Sequence, residues 1–323
     1  MSRTLHQLNS RITGMICPRC QKRYPVGDYF FGCPACLERG ASSNLTLVYE
    51  GKAQIQKDAT GWHRYRDFLP YDDTVSLGEG FTPVRTFPRL AKELGFRKLY
   101  TKHEFQNPTG SHKDRMNPFI TARAREAGYS TVTCASSGNE AASLAAYAAA
   151  EGLNCVNVST HSIPSLWKNV SDATGAKLVL TDTPAARLFY QKEQLAQGKD
   201  WYPATNLLDL PSGSSPYGIE GYKTLSFELY EQLEEQLPDY LLIPTCRGDL
   251  LYGIYLGFRD LLETGYIKTL PRLVACEPIP RLELILSGQK RVEDKFEGDT
   301  SSMSSIGGNT ATWQSVTALR ESG

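Results

Sequence analysis

Neither sign of charge is in excess in this sequence: 35 lysines and arginines balance 35 aspartates and glutamates. That balance offers no basic footprint for a nucleic-acid backbone. Apolar runs long enough to span a bilayer are missing, and residues 1–6 lack the hydrophobic core of a signal peptide. The chain therefore reads as cytoplasmic, with neither a membrane nor a nucleic acid as partner. The glycine-rich stretch 76–83 is not followed by Gly-Lys-Ser/Thr, which excludes a Walker loop. Internal repeats of solenoid period are absent too.

What is present, 323 residues, is enough for about two domains of ordinary size. Of eight cysteines, the four after residue 100 are scattered. Cys134, Cys155 and Cys276 fall in β-prone runs, where a thiol packs as a small hydrophobe, and a cytosolic chain with this spacing implies no disulfides. The other four form two knuckles, Cys17-Pro-Arg-Cys20 and Cys33-Pro-Ala-Cys36, around an aromatic stretch carrying Tyr24, Tyr29, Phe30 and Phe31. Cys17, Cys20, Cys33 and Cys36 match the ligand set of a closed tetrahedral zinc ribbon. Redox cysteines and an iron centre use the same four thiols and are the alternatives. With every position filled by protein, such a zinc would be structural, and so short a segment needs it to fold. Arg19, Lys22 and Arg23 are offset by Asp28 and Glu38, which argues against a nucleic-acid role for this segment.

After a polar and aromatic arm over residues 45–71, in which His63 reads as a surface or packing residue, strands alternate with helices. The pattern predicts strands at 98–102, 131–134, 155–159, 177–181, 240–244 and 273–277. Helices are predicted from Asn117, as N-cap with Pro118 in the first turn, to about 127, and at 140–150, 163–174, 184–197, 220–237 and 250–263. Residues 200–210 read as irregular or weakly β, 211–216 as a loop, 287–303 as polar and mobile, and 306–310 as a turn before a last helix. Alternation of this kind implies an α/β fold with parallel sheets covered on both faces by helices.

Two strand-to-helix crossings carry chemistry. In Asn107-Pro-Thr-Gly-Ser-His-Lys-Asp-Arg115, turn formers follow a strand and put Lys113 where open α/β sheets bind ligands. A partly desolvated lysine amine serves as a nucleophile toward a carbonyl cofactor; a solvated lysine beside Asp114 is the plainer alternative. In Ser136-Ser-Gly-Asn139, small residues expose backbone N–H groups at a helix start, which suits an anion, and the Asn139 amide adds a donor and an acceptor. Taken alone, that stretch could equally be a capped helix start.

Four stretches together carry a resemblance: Ser76-Leu-Gly-Glu-Gly-Phe-Thr-Pro83, the Lys113 stretch, Ser136-Ser-Gly-Asn139 and Glu220-Gly-Tyr-Lys-Thr224. The sequence resembles the fold-type-II pyridoxal-phosphate enzymes, and among them the threonine synthase group, over about residues 15–323. Many members of that group also carry a two-knuckle ribbon. The resemblance implies two parallel-sheet α/β lobes of the tryptophan synthase β-like kind with an N-terminal zinc ribbon. Its expected division is a ribbon at 15–40, a larger cofactor-binding domain from 41–130 plus 205–323, and a smaller domain at 131–204. By the same resemblance Lys113 would hold pyridoxal 5'-phosphate through its amine and shuttle protons. Asn139 would bond the cofactor's ring hydroxyl oxygen, and the amides of Ser136, Ser137 and Gly138 would receive the substrate carboxylate. Thr245, Arg247 and Gly248 would face the cofactor phosphate. The implied reaction is γ-elimination of phosphate from O-phosphohomoserine with addition of water at the β-carbon, and the implied partners are a small amino-acid substrate and a second copy of the chain in a homodimer.

The sequence also departs from the family. The cofactor-phosphate loop reads Thr245-Cys-Arg-Gly-Asp249, retaining only Gly248. An aspartate about 4 Å from a phosphate is unfavourable by roughly 1–4 kcal/mol; Arg247 could compensate, or Asp249 could turn away and pair with Arg247. Gly218 stands where the family has an arginine for the substrate phosphate, and Trp167, with Lys168 next to it, stands in place of a lysine. His112 replaces a phenylalanine beside Lys113. The family's closing stretch after Leu-Arg-Glu-Ser-Gly is absent, and another chain could complete the fold. The expectation from these changes is poor use of O-phosphohomoserine, with β-replacement or elimination on O-phosphoserine, serine or threonine, or a binding role in an impaired paralogue, as alternatives.

Overall fold

The computed structural model describes residues 6–136, 138–209, 212–299 and 301–323. Its first sheet is held together by cysteine-bearing turns more than by length. β1 (Ile12–Ile16) pairs antiparallel with β2 (Arg23–Tyr24) and β3 (Thr46–Tyr49), and α1 (Pro34–Leu37) starts directly after Cys33. Met15, Leu45 and Leu47 are buried in the same core as Tyr217 and Ile219, so the sheet is fused to the rest of the chain. A 3₁₀ stretch, Gly61–Phe68, feeds that core with Trp62, Tyr65 and Phe68. Their spacing of three matches the three residues per turn of that helix.

β4 (Val84–Thr86) and β5 (Tyr100–Lys102) flank α2 (Pro88–Glu93) and pair antiparallel. The strand expected at 98–102 thus keeps only its last three residues and lies outside the parallel sheets. Two 3₁₀ turns, Glu104–Gln106 and His112–Arg115, lead into α3 (Asn117–Glu126). The cap of α3 is Met116 and not Asn117, because the preceding turn already brings Met116 into helical backbone.

The next seven elements are β6 (Thr131–Cys134), α4 (Asn139–Glu151), β7 (Asn154–Thr160), α5 (Ser165–Thr174), β8 (Lys177–Thr181), α6 (Pro184–Ala196) and β9 (Trp201–Pro203). Their strands form one sheet in the order β8-β7-β6-β9, parallel throughout. Every residue of β6 is buried, as expected of a central parallel strand covered on both faces. Ala141, Ala145 and Ala148 are buried along α4, and their small side chains let that helix lie close on β6 and β7. β9 lies within the stretch read as irregular or weakly β; three residues ending in proline show no clear alternation, and pairing with β6 makes the strand.

The helix expected over 220–237 is two helices, α7 (Pro216–Gly221) and α8 (Lys223–Gln232), parted at Tyr222. β10 (Tyr240–Pro244), α9 (Asp249–Glu263) and β11 (Arg272–Cys276) form a parallel βαβ unit, followed by α10 (Arg281–Leu286) and α11 (Trp313–Ser322). α9 lies tightly on the α7–α8 break: a Cβ at Gly253 would stand 2.4 Å from that of Tyr222. The stretch read as mobile at 287–303 is anchored in its described part, with Val292 and Phe296 buried and the Phe296 amide bonded to Asn309 O at 3.0 Å.

Candidate active site

The turn around Lys113 is built by its two charged neighbours. Asp114 is fully buried and accepts from Thr109 N at 2.6 Å, from Thr109 Oγ1, and from Ser143 Oγ of α4 at 2.6 Å. Its carboxylate is spent on folding the turn and tying it to α4, so Asp114 is not a surface partner for the lysine. Arg115 is equally buried and forks between two carboxylates: Nε and Nη2 reach Glu104 at 2.6 and 2.8 Å, while Nη1 and Nη2 reach Glu228 of α8. Thr82 and Thr224 complete this network. The loop 76–83 closes over it, since Gly80 N donates to Asn107 Oδ1 at 3.0 Å and Glu79 accepts from Tyr147 Oη at 2.7 Å.

With its neighbours so occupied, Lys113 points its Nζ to within 3.5 Å of Glu140 Oε2, and the ring of Tyr222 lies 5.8 Å away. Burial disfavours the ammonium, but Tyr222, Glu140 and Asp249 outweigh it and hold the lysine above its ordinary value. Burial pushes the Glu140 carboxyl up, and neither of its oxygens has a full hydrogen bond. The sequence reading missed both Glu140 and Tyr222. The available signal was an acidic residue in the first turn of an otherwise alanine-rich helix, directly after the Ser-Ser-Gly-Asn stretch. His112 is pushed down to about 3 by burial and then by Lys113, and its ring packs 5.6 Å from that of Tyr222. It is a neutral packing group at physiological pH.

The α4 start lies beside this turn. Gly138 is its N-cap and donates its N–H to Ser136 Oγ at 3.3 Å; Asn139 is the first helical residue. Ser137 lies outside the described residues. The Trp167 indole of α5 lies against Gly138, 4.0 Å from where a Cβ would be.

A second helix start, that of α9, is held from several sides. Gly248 caps it at φ +100°, and a Cβ there would stand 2.3 Å from Ser315 Cβ, so both conformation and space require glycine. Thr312 Oγ1 donates to Arg247 O at 2.8 Å, and Arg281 Nη2 to Thr245 O at 2.9 Å. Asp249 finds its partner at Ser214 and not at the expected Arg247. Its oxygens accept from Ser214 N at 3.2 Å and Ser214 Oγ at 2.7 Å. Arg247 instead comes near Arg187 of α6, which burial and then Arg247 hold below its ordinary value. Gly218 leaves no room for a longer side chain, because a Cβ would meet Ile120 and Met116 at 2.6 and 2.7 Å. Lys223, from the Glu-Gly-Tyr-Lys-Thr stretch, is buried between Glu220 and Asp260 at 2.5 and 2.8 Å and serves the core.

The four knuckle cysteines converge separately, with their sulfurs all within 4.8 Å of one another. Cys17 and Cys36 Sγ are 3.7 Å apart, and Cys20 and Cys33 Sγ are 3.6 Å apart. A tetrahedron of thiolates about 2.3 Å from a zinc ion has edges of about 3.8 Å, so this donor set fits such a metal.

The sequence model of the family described as "Pyridoxal-phosphate dependent enzyme" matches residues 75–322. The chain belongs to that family. It is 33% identical to a threonine synthase of Methanocaldococcus jannaschii, over 86% of this chain and 68% of that protein. A threonine synthase of Methanosarcina acetivorans is 29% identical, over 95% of this chain and 76% of the relative. Among solved structures, a pyridoxal 5'-phosphate-dependent aspartate racemase superposes with TM-score 0.61 at 23% identity, covering 76% of this chain and 72% of that one. Diaminopropionate ammonia lyase from Escherichia coli gives TM-score 0.62 at 17% identity, covering 76% and 67%. These two likenesses concern the fold alone.

The residues present fit the family's cofactor. A lysine amine faces a buried carboxylate that lacks hydrogen-bond partners. A helix start capped by Gly248, with Ser315 packed where a Cβ would stand, presents its first amides as an anion site would. This chain is a pyridoxal-phosphate-dependent enzyme similar to threonine synthases, and among its described residues no helix is long and apolar enough to cross a membrane.

Proposed function

We propose that this chain is a lyase of the threonine synthase type, acting on a small amino acid that carries a leaving group at its γ-carbon, with O-phosphohomoserine the first substrate to try. The observation that carries the reading is the Lys113 amine, set 3.5 Å from the buried Glu140 carboxylate beside the start of α4. When bound, the cofactor supplies the sink for the electrons released next to the amino group. Lys113 holds it and moves protons at Nζ. Glu140 keeps that nitrogen in place and balances its charge. The amides of Ser136, Ser137 and Gly138 would receive the substrate carboxylate, and the Asn139 side chain would orient the cofactor ring. Thr245, Arg247 and Gly248 face the cofactor phosphate at the start of α9. Arg247 would add guanidinium charge beside that phosphate.

A second reading, β-elimination or replacement on O-phosphoserine, serine or threonine, is favoured by Gly218 and Trp167, which stand where basic side chains are expected for the phosphate of O-phosphohomoserine. Visible absorbance and product analysis separate the possibilities. Protein loaded with pyridoxal 5'-phosphate should show an absorption band that Lys113→Ala abolishes. The same preparation should release threonine and phosphate from O-phosphohomoserine, with a low kcat/KM because Gly218 and Trp167 stand where basic side chains are expected for the substrate phosphate. Phosphate release from O-phosphoserine alone would select the second reading, and a colourless protein that takes up no cofactor would overturn both.

For the cysteine cluster we propose a structural zinc ion on Cys17, Cys20, Cys33 and Cys36, with all four positions filled and none left for water. Elemental analysis should find one zinc per chain and markedly less in Cys17→Ser. Unchanged metal content in that variant would refute the assignment. The functional unit proposed is a homodimer in the cytoplasm, testable by light scattering on the loaded enzyme.

A further inference from the structure

The cysteine cluster and the start of α9 are joined by a continuous run of buried polar contacts. Cys17 Sγ stands 3.4 Å from Ser43 Oγ, and the Ser43 carbonyl accepts from Cys33 N at 2.8 Å, so Ser43 is gripped by both knuckles. Its hydroxyl donates to Asn44 O at 3.2 Å. The Asn44 side chain is fully buried; Nδ2 donates to Ser214 O at 2.6 Å while Oδ1 accepts from Leu45 N. Ser214, also buried, uses both its N–H and its hydroxyl on Asp249, the first residue of α9. No slack is visible along this path. A Cβ at Gly213 would stand 2.6 Å from Asp249 Oδ1 and 3.5 Å from Asn44 Nδ2, and one at Gly32 would stand 2.5 Å from Ser43 O.

A buried polar chain whose members satisfy one another adds little net stability over apolar packing, but it is directional and fixes positions. A metal-tied turn is a rigid end for such a chain. The other end bears on helix amides, whose grip on an anion depends on where they point. We propose that Asn44 and Ser214 are positioning residues for the cofactor phosphate, passing to Asp249 and the start of α9 a geometry set by the four cysteines. The proposal rests on the assignment of 245–248 to the cofactor phosphate made above. It adds that the ribbon serves the cofactor site as well as its own fold.

The test compares two ligands on the full-length chain, pyridoxal 5'-phosphate and pyridoxal, which share the aldehyde and differ in the phosphate. Dissociation constants come from visible absorbance, with near-UV circular dichroism checking that each variant is folded. Asn44→Ala should weaken pyridoxal 5'-phosphate by about tenfold, the lower end for groups that orient a binding residue, and leave pyridoxal within about twofold. Ser214→Ala keeps the backbone bond to Asp249, so it should give a smaller shift of the same selectivity, which tests the proposal if Asn44→Ala does not fold. Removing the metal with a chelator should reproduce the effect in the unaltered chain and add less than about twofold in Asn44→Ala, because changes along one path are not additive. Equal weakening of both ligands, or no change in either, would overturn the relay while leaving the cofactor assignment intact. An unaltered chain that binds neither ligand would overturn the cofactor assignment and the relay with it.

Discussion

The Lys113 turn and the loop after β10 are the two ends of one candidate site, and they are built by opposite means. The lysine turn is held by charge in the dry interior, with Arg115 forked between Glu104 and Glu228 and Asp114 spent on hydroxyl and amide donors. The 245–249 loop is held by side chains reaching its carbonyls and by close packing, from α10, α11 and the 212–214 segment. A buried ion network fails abruptly when one member is removed, because the remaining charges are left unpaired. A loop tied by several separate contacts loosens by degrees. The turn should therefore behave as a unit of stability, and the loop as a unit of ligand geometry.

The sharpest way to break that contrast is Arg115→Ala. It leaves the partly buried Glu104 and the fully buried Glu228 without their shared partner, Glu228 keeping only Lys102, and should cost about 3–5 kcal/mol, read as a fall in the urea midpoint. A cost below that of any change in the 245–249 loop would undo the comparison. Glu104→Gln comes next and carries a pH signature. Burial pushes the Glu104 carboxyl up, but Arg115, with Thr82 and Lys102 assisting, pulls it down to about 2. Because the folded value lies below the unfolded one, its contribution of about 3 kcal/mol is present above pH 4.5 and is lost as the pH falls toward 2. The unaltered chain and Glu104→Gln should differ by that amount at pH 7 and converge in acid. A gap of the full size that persists at pH 2 would assign the effect to packing instead.

Gly248→Ala should cost about 1–3 kcal/mol, from a left-handed backbone and the contact with Ser315. Its mark should fall more on pyridoxal 5'-phosphate than on pyridoxal; equal loss of both would move the phosphate elsewhere. The smallest effect expected is that of His112→Phe. Since this imidazole titrates near 3, its replacement should leave the shape of the kcat/KM profile between pH 5 and 8 unchanged, with about 1 kcal/mol or less in stability. A lost inflection in that range would make His112 a proton carrier.

Much of this architecture was legible in the residues. β8 and β10 fall on the predicted residues, because both are short apolar runs closed by turn formers. The lysine, the Ser-Ser-Gly-Asn stretch and the four cysteines could be read because their chemistry lies in local spacing. What escaped depends on distant neighbours. Tyr222 divides one apparent helix into α7 and α8 where α9 presses in at Gly253, 31 positions further along. Asp249 looked like a threat to a phosphate, and its neutral answer at Ser214 lies 35 positions back. Glu140 looked like the ordinary acid of a helix start until the turn before α3 brought Lys113 beside it. Local patterns place elements and motifs, whereas the partner of a buried charge is fixed by the fold.

Trp167 has a practical consequence. Of the four tryptophans in the chain, Trp62, Trp201 and Trp313 lie on the 3₁₀ stretch, on β9 and on α11, while the Trp167 indole rests against Gly138 beside the lysine turn. A pyridoxal chromophore seated there would absorb the light this indole emits. The protein carries its own optical gauge of occupancy, and Trp167→Phe would silence it while the other three tryptophans keep emitting.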